Sequence, residues 1–184
     1  MAGRHPIQAD EVAVARFLRD RSEAAFDELY RAHTGFMFGV AMRLIANRRE
    51  DAEDAVHEAW LRAIAALPRF AWRSSLRTWL CGFVVNCCRE IMRRPSTTEI
   101  IETSFLTTDT IDVERAIATI PPAAREVFVL HEIYGYTHDE IGEIAAIDAG
   151  TSKSQLHHAR LKFRAYFEDQ DGRNQPPVQR APAE

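Results

Sequence analysis

Apolar residues recur at intervals of three and four along most of this sequence, the spacing that puts them on one face of an α-helix. Three such stripes follow one another over residues 26–44, 55–67 and 76–92. Pro68 stops the second stripe and Pro95 follows the third, because proline cannot donate the backbone hydrogen bond of a helix interior. Helices with short connections can bury such stripes against one another. We therefore predict a bundle of three to four helices over residues 20–94.

The composition changes after this bundle. Among residues 95–110, eight of sixteen are serine or threonine and none is basic, which predicts a flexible linker over residues 95–111. Helical periodicity resumes in a second domain, residues 112–168. Residues 1–19 are polar and weakly patterned, so they are predicted to be an N-terminal extension in which residues 12–18 could start a short helix. Residues 169–184 are predicted to be a disordered tail. The predicted fold class is all-α, with two small helical domains joined by a flexible linker.

The second domain contains the pattern of a helix-turn-helix. Thr137 and Glu140 have the spacing of a capping box, in which each side chain satisfies the backbone N–H of the other. The helix that begins there is predicted to break over residues 148–150, a segment that contains a glycine, and a last helix to begin at Thr151. Two short helices joined by a tight glycine-containing turn are typical of DNA-binding domains, in which the second helix lies in the major groove. We therefore expect this domain to bind duplex DNA.

One face of the predicted last helix is basic. Leu156, Ala159 and Phe163 are directed inward, and the opposite face carries cations that can neutralise phosphates together with side chains that can bond to base edges. The residues predicted to contact DNA are Lys153, Ser154, His157, His158, Arg160 and Arg164. The alternative is a plain surface helix, which the cap and turn upstream make less favoured.

Charge is distributed unevenly, although the formal net charge is only −4. Residues 69–94 hold six arginines against one acid, and residues 151–164 are basic with no acid. Acidic residues are concentrated instead over residues 50–58 and 99–114. This segregation suggests two surfaces for a polyanion and an acidic surface for a basic partner. The alternative is that each run is an ordinary solvated helix face.

Several classes of function find no support in the sequence. We see no secretory signal and no apolar run long enough to span a membrane, which favours a cytoplasmic protein without membrane insertion. The three cysteines form no CxxC pair and suit a reducing compartment, and Cys87 and Cys88 are predicted to belong to the core. His157 and His158 diverge on a helix and lack a third ligand. We predict no metal site, no cofactor and no enzymatic activity.

The final helix and the segments before it resemble a known family. GTSKSQLHHAR, at residues 150–160, resembles the GTVKSRLxRAR run of region 4 in extracytoplasmic-function (ECF) sigma factors. Upstream, IPPAAR at residues 120–125 and YTHDEI at residues 136–141 resemble the lead-in of the same region. In the first domain, FDELY at 26–30, DAEDAV at 51–56 and TWL at 78–80 are similar to region 2. The ordered set spans about residues 20–167, with the predicted linker where the family has one.

The resemblance implies a transcription initiation factor that binds core RNA polymerase and directs it to promoter DNA. The region 2-like domain would bind the β′ clamp helices through Asp51, Asp54 and Glu58, and the β subunit would be a further contact. The loop and helix that follow would melt and hold the −10 element through Phe70, Trp72, Arg73, Ser75, Arg77, Asn86 and Arg89. Phe70 and Trp72 could equally cap the bundle core. The region 4-like domain would bind the −35 element, and the family commonly has an anti-sigma factor as a further partner.

The chain departs from the family pattern at several positions. Cys81 and Gly82 stand where the family usually has Tyr-Arg, and Ser152 replaces a buried valine. Gln155 and His158 replace usual arginines, which leaves the predicted −35 surface less basic. Two alternatives therefore stay open: a stand-alone helix-turn-helix regulator that dimerises and binds duplex DNA by itself, and a sigma-like adaptor with weakened promoter binding.

Overall fold

The computed structural model describes residues 7–93 and 108–173 of the chain. Within these two ranges it consists of α-helices with short turns, contains no β-strand, and has no helix that is both long and apolar enough to cross a membrane. The helices are α1 Ile7–Asp20, α2 Glu23–Leu44, α3 Arg49–Ala66, α4 Leu76–Met92, α5 Thr108–Thr119, α6 Pro122–Phe128, α7 His138–Ala145 and α8 Ala149–Arg173. The prediction of an all-α fold with two helical domains is confirmed.

The three predicted apolar stripes become α2, α3 and α4, which pack against one another. Met37 of α2, Ala52 of α3 and Leu80 of α4 are fully buried at the centre of this first domain. Ser22 starts α2, because its hydroxyl accepts a hydrogen bond of 3.3 Å from the backbone N–H of Ala25. A turn of 3-10 helix, Leu67–Arg69, contains the proline that was predicted to end α3.

Helix α1 packs along α2, so the first bundle begins before the predicted boundary at residue 20. Ala13, Val14 and Phe17 are buried in its core. The Asp10 carboxylate lies 3.0 Å from Nε2 of His33, and both side chains are almost fully buried. Only one side of α1 meets the bundle, which explains why polar residues dominate the sequence of this segment.

The second domain is built from α5 to α8, with a π-helical turn, Val129–Ile133, extending α6. Its core contains Ile117 of α5, Leu130 of the π-helical turn, Ile141 of α7 and Ala159 of α8, all of which are buried. The helices reach beyond the predicted boundaries, because residues 108–111 belong to α5 and residues 169–173 belong to α8. The rest of the predicted linker and tail lies outside the described residues.

The predicted capping box at the start of α7 is confirmed. The backbone N–H of Thr137 donates to Oε2 of Glu140 at 2.8 Å, and the backbone N–H of Glu140 donates to Oγ1 of Thr137 at 3.2 Å. These two bonds satisfy exposed donors at the start of the helix, which fixes where α7 begins.

The turn between α7 and α8 lies earlier than the predicted break over residues 148–150, because Ala149 and Gly150 already belong to α8. Ala146 makes the turn in the left-handed region, with φ of 53°, and α8 already begins at Ala149. Asp148 caps α8, because its carboxylate accepts a hydrogen bond of 2.8 Å from the backbone N–H of Thr151. With the cap at Asp148, Gly150 lies inside the first turn of α8.

The two domains lie against each other, with α7 packed on α4 and α5 packed on α2. Arg125 of α6 is buried at this boundary. Its guanidinium donates to the backbone carbonyl of Leu44 at the end of α2, at 3.0 Å, and to the carbonyls of Ala118 and Ile120 at the end of α5, both at 2.8 Å. One side chain therefore joins the ends of helices from both domains.

Candidate nucleic-acid interfaces

The exposed side of α3 is an acidic stripe, formed by Glu50, Asp54, His57 and Leu61. These residues are spaced by three or four along the helix, so they lie on one face, opposite the alanines that α3 buries in the core. Leu61 adds an apolar side chain to this face and is 53% exposed. The stripe combines negative charge with an exposed apolar side chain, as a partner surface does.

The three acids predicted to bind polymerase differ in their surroundings. Asp54 lies on the exposed acidic stripe. Asp51 is 21% exposed and forms an ion pair of 2.8 Å with Arg48. Glu58 accepts a hydrogen bond of 2.7 Å from Nε of Arg62. The structure therefore places Asp54 on the open face, and Asp51 and Glu58 in ion pairs at its margins.

Arg62 also connects α3 to α4. Its two terminal nitrogens donate to the two carboxylate oxygens of Glu90 at 2.6 and 2.8 Å. Hydrogen bonds from Arg62 to Glu90 and then to Glu58 raise the pKa of the arginine. Arg62 is the centre of this network, and sequence reasoning missed it because Glu90 stands 28 residues away.

The loop between α3 and α4 carries an aromatic cluster. The Phe70 ring stacks on Trp79 with centroids 4.7 Å apart, and Trp72 lies 4.7 Å from Phe70. Trp72 is held in the left-handed region, with φ of 56°. Both loop aromatics are half-buried and pack against the hydrophobic core. This packing supports the core-capping role for Phe70 and Trp72. A DNA base could contact only the part of each ring that stays exposed.

Two further loop residues predicted to contact the −10 element have different environments. Arg73 is exposed. Ser75 is the cap of α4, because its hydroxyl accepts a hydrogen bond of 3.1 Å from the backbone N–H of Thr78. The Ser75 side chain therefore has a structural role, which the S-x-x-T spacing at residues 75–78 could have indicated.

On α4, the two predicted DNA-binding arginines are directed toward other parts of the protein. The Arg77 guanidinium lies 3.9 Å from the centre of the Phe36 ring. Arg89 donates two hydrogen bonds, of 2.8 and 2.6 Å, to the two carboxylate oxygens of Glu126 in the second domain. Asn86 is exposed and borders a groove of about 290 Å³ between α4 and α7.

The predicted DNA-binding residues of α8 share an exposed surface. Lys153, His157, Arg160 and Arg164 recur at intervals of three and four on one face of the helix. Arg160 donates from Nε to Glu132 at 2.8 Å and so is tied to the end of α6. Ser154 and His158 are also exposed, and the Ser154 hydroxyl donates to the Thr151 carbonyl at 3.0 Å.

Two histidines lie behind the start of α8. The His131 and His138 rings are stacked, with centroids 4.8 Å apart and planes at 11°. Nδ1 of His138 lies 2.8 Å from Oγ of Ser152, whose side chain is fully buried. Burial, followed by the neighbouring His131, lowers the pKa of His138. Sequence reasoning missed this group, although Ser152 at a position where the family has a buried valine was a signal.

The cysteines lie in the core, as predicted for Cys87 and Cys88. Cys81, Cys87 and Cys88 are buried free thiols. Burial raises the pKa of Cys81 to about 12 and also raises that of Cys88. A thiol with a raised pKa is a poor nucleophile. Among the described residues, no three His, Cys, Asp or Glu side chains converge in the way that a metal ion would need.

Two family models match the chain, one in each domain. Sigma-70 region 2 matches residues 29–97, and Sigma-70, region 4 matches residues 110–163. The ECF RNA polymerase sigma factor SigM of Mycobacterium tuberculosis is 30% identical over 170 residues, which are 88% of this chain and 85% of SigM.

Solved structures share the fold. The sigma factor RpoE of Bartonella quintana, in complex with the anti-sigma factor NepR, superposes with a TM-score of 0.66 at 20% identity, over 84% of this chain and 98% of that one. CnrH, in complex with the cytosolic domain of CnrY, gives a TM-score of 0.65 at 22% identity, over 88% and 98%. The chain therefore belongs to the ECF sigma factors, the subunits that direct RNA polymerase to start transcription at particular promoters.

Proposed function

We propose that this sigma factor binds core polymerase through the acidic stripe of α3, the −10 element through α4 and the loop before it, and the −35 element through α8. In this assignment, α1 to α4 form the region 2-like domain, α5 to α8 form the region 4-like domain, and the segment between α4 and α5 connects them. The observation that carries the proposal is the opposite charge of the two exposed helix faces, acidic on α3 and basic on α8.

On the polymerase side, Asp54 is the leading contact. It is exposed at the centre of the acidic stripe, and Leu61 on the same face gives an apolar anchor. Charged residues beside an apolar anchor are common in protein interfaces, in which the charges also select the partner. Asp51 and Glu58 contribute through the ion pairs that position them. The partner surface on the β′ clamp helices is accordingly basic, and the β subunit is a further contact.

On the DNA side, the exposed cations of α8 bind phosphates of the −35 duplex, while Ser154 and the two histidines meet base edges. Arg160 is held by Glu132, which places its guanidinium at the edge of this surface. At the −10 element, Arg73 and Asn86 are exposed beside the aromatic cluster of the loop, a combination that suits single-stranded DNA.

The proposed function also implies a location in the cell and a further protein partner. Binding to polymerase places it in the cytoplasm, where it has a binding role with no catalytic group. The similar RpoE structure contains the anti-sigma factor NepR, and CnrH is in complex with the cytosolic domain of CnrY. An anti-sigma factor is therefore proposed as a partner of this chain.

The test is transcription with purified core polymerase on candidate promoters, with and without the chain. Chain-dependent initiation is expected, whereas a stand-alone regulator would bind duplex DNA without polymerase and an adaptor would bind polymerase without initiating. Asp54→Lys should weaken core binding by roughly tenfold or more, because it places a positive charge against a basic surface. Glu11→Lys is the matched control, since it makes the same change in net charge on the exposed side of α1. Equal losses in both variants, or none in Asp54→Lys, would remove the assignment of the acidic stripe.

A further inference from the structure

We propose that His138 is a positioning residue for the −35 element: it fixes the first turn of α8 through the buried hydroxyl of Ser152, and an added proton on its imidazole lowers selectivity for the −35 sequence. This role rests on the proposed function, because it takes α8 as the helix that contacts the −35 duplex. His138 lies on α7 and acts on DNA only through α8.

Ser152 connects α7 to the part of α8 that faces DNA in the proposed function. Its side chain is fully buried, and among the described residues its hydroxyl has one hydrogen-bond partner, Nδ1 of His138 at 2.8 Å. The next two residues, Lys153 and Ser154, are exposed and belong to the proposed DNA-binding face. A shift of Ser152 therefore moves two side chains that meet the duplex.

The protonation state of His138 decides which group donates this hydrogen bond. The buried O–H of Ser152 is paired when the neutral imidazole carries its hydrogen on Nε2 and accepts at Nδ1. An imidazolium can only donate, because both of its nitrogens carry hydrogen. The serine O–H then loses its acceptor in a buried position, which is unfavourable. Protonation therefore weakens the contact that fixes the first turn of α8.

The surroundings of His138 favour its neutral form. His131 of the π-helical turn stacks on the imidazole, with centroids 4.8 Å apart, and Lys153 and Arg160 face it from α8. Burial, followed by these three groups, lowers the pKa of His138, while its neighbour Asp139 acts in the opposite direction. The folded domain therefore takes up this proton only at a pH below the ordinary value of 6.5.

The exposed histidines of α8 respond to acid in the opposite sense. Protonation of His157 and His158 would add positive charge to the proposed DNA-binding face, which strengthens binding to phosphates of any sequence. Displacement of the first turn instead weakens contacts with base edges, and these contacts carry the sequence information. The two effects are separated by selectivity, the ratio of the dissociation constants for a scrambled and a native −35 element.

The experiment measures this selectivity with holoenzyme assembled from core polymerase and the full chain. Two fragments of a promoter active in the transcription assay, identical except for a native or scrambled −35 element, are compared by competition binding at about pH 7.5 and about pH 5.5. Wild-type selectivity should fall about fivefold at the lower pH, the effect of losing about one base contact. Ser152→Ala keeps every histidine but removes the hydroxyl, so its selectivity should not change with pH.

Two further variants control for packing. Ser152→Val introduces the apolar residue usual in the family and should also lose the response to pH, so a cavity left by alanine does not decide the result. Thr119→Ala is the matched control, because it removes a hydroxyl of the same domain that donates to the Ala116 carbonyl. It should keep the wild-type response.

Substitutions of His138 distinguish positioning from a merely structural role. His138→Asn keeps a polar group near Ser152 and should retain selectivity at both pH values, whereas His138→Ala should have low selectivity at both. An equal fall in wild type and Ser152→Ala, or no fall in wild type, would refute positioning through Ser152 and leave the proposed function standing. If scrambling the −35 element has no effect on wild-type binding at about pH 7.5, the assignment of α8 itself fails, and the role of His138 with it.

Discussion

The hydroxyl of Ser152 is buried beneath the first turn of α8, where a polar group needs a partner. Buried polar side chains that lack hydrogen bonds are strongly destabilising. Nδ1 of His138 supplies the partner at 2.8 Å, and His131 stacks on the other face of that imidazole. The histidine pair thus supports the helix that is proposed to enter the major groove, and its protonation state bears on the stability of the second domain.

The first prediction concerns His138. Its pKa is lowered from the ordinary 6.5 by burial and by His131, so the folded protein binds a proton less readily than the unfolded chain. The stability that comes from neutral His138 is therefore complete above about pH 6.5 and is lost as the pH falls below that value. His138→Asn keeps a polar group near Nδ1 but does not titrate. Chemical denaturation should show a smaller loss of stability between about pH 7 and about pH 5 in this variant than in wild type.

His57→Asn is the control for that experiment, because His57 is exposed on the acidic stripe of α3. His57→Asn should lose as much stability as wild type between about pH 7 and about pH 5. If the free energy of unfolding of His138→Asn changes with pH as it does in wild type, protonation of His138 is not linked to folding.

At the scale of the helices, α4 contains a residue that weakens it. Gly82 stands where the family usually has an arginine, and a Cβ atom at this position would meet nothing within 4 Å. Glycine costs more backbone entropy than alanine, and the difference in a helix interior is about 1 kcal/mol. The helix that is proposed to hold the −10 element is therefore less stable than its length would suggest.

The second prediction follows from the open space around position 82. Gly82→Ala should raise the free energy of unfolding by about 0.5–1 kcal/mol, as measured by urea denaturation. Gly135→Ala is the opposite control: its surroundings are equally open, but its φ of 75° is in the left-handed region, which costs an alanine roughly 1 kcal/mol or more. Destabilisation by both substitutions would contradict the claim that Gly82 weakens α4.

The helices also show how far periodicity can predict this fold. The stripes of α2, α3 and α4 were visible because each buries a continuous apolar face, and the capping box at Thr137 marked the start of α7. The turn at Ala146 carried no sign in the sequence, since alanine rarely adopts a φ of 53° and the nearby Gly150 offered the more usual choice. The docking of α1 was equally hard to predict, because its buried polar pair joins Asp10 to a residue 23 positions away.

At the scale of the whole molecule, contacts between distant segments engage two of the predicted site residues. Arg89 and Arg160 are both tied to acids of the second domain, Glu126 and Glu132, which no spacing rule connects to them. Sequence patterns identify the faces of single helices, whereas the Arg89 pair depends on how the two domains pack and the Arg160 pair on how α8 packs within the second domain. The exposed helix faces could therefore be predicted and the intramolecular partners could not, while the binding roles of the candidate residues stay predictions.

The third prediction tests that packing at a glycine of α2. A Cβ atom on Gly39 would lie 2.8 Å from the Tyr134 hydroxyl, too close for an undisturbed interface. Gly39→Ala should displace Tyr134 and increase the radius of gyration in X-ray scattering. Gly35→Ala, in the same helix with nothing within 4 Å, should keep the wild-type radius and add about 0.5–1 kcal/mol of stability. Equal radii for the two variants would mean that Tyr134 does not hold the domains together.

Arg125 is buried at the boundary between the domains, yet most of its hydrogen bonds do not cross that boundary. Its guanidinium makes three of its hydrogen bonds to the carbonyls of Ala118 and Ile120 in its own domain, and a single one to Leu44 across the boundary. Separation of the domains would free one carbonyl to water and leave the cation bonded on its own side. Separation would therefore leave no unpaired charge at Arg125, so this buried cation adds little to the free-energy cost of parting the two domains.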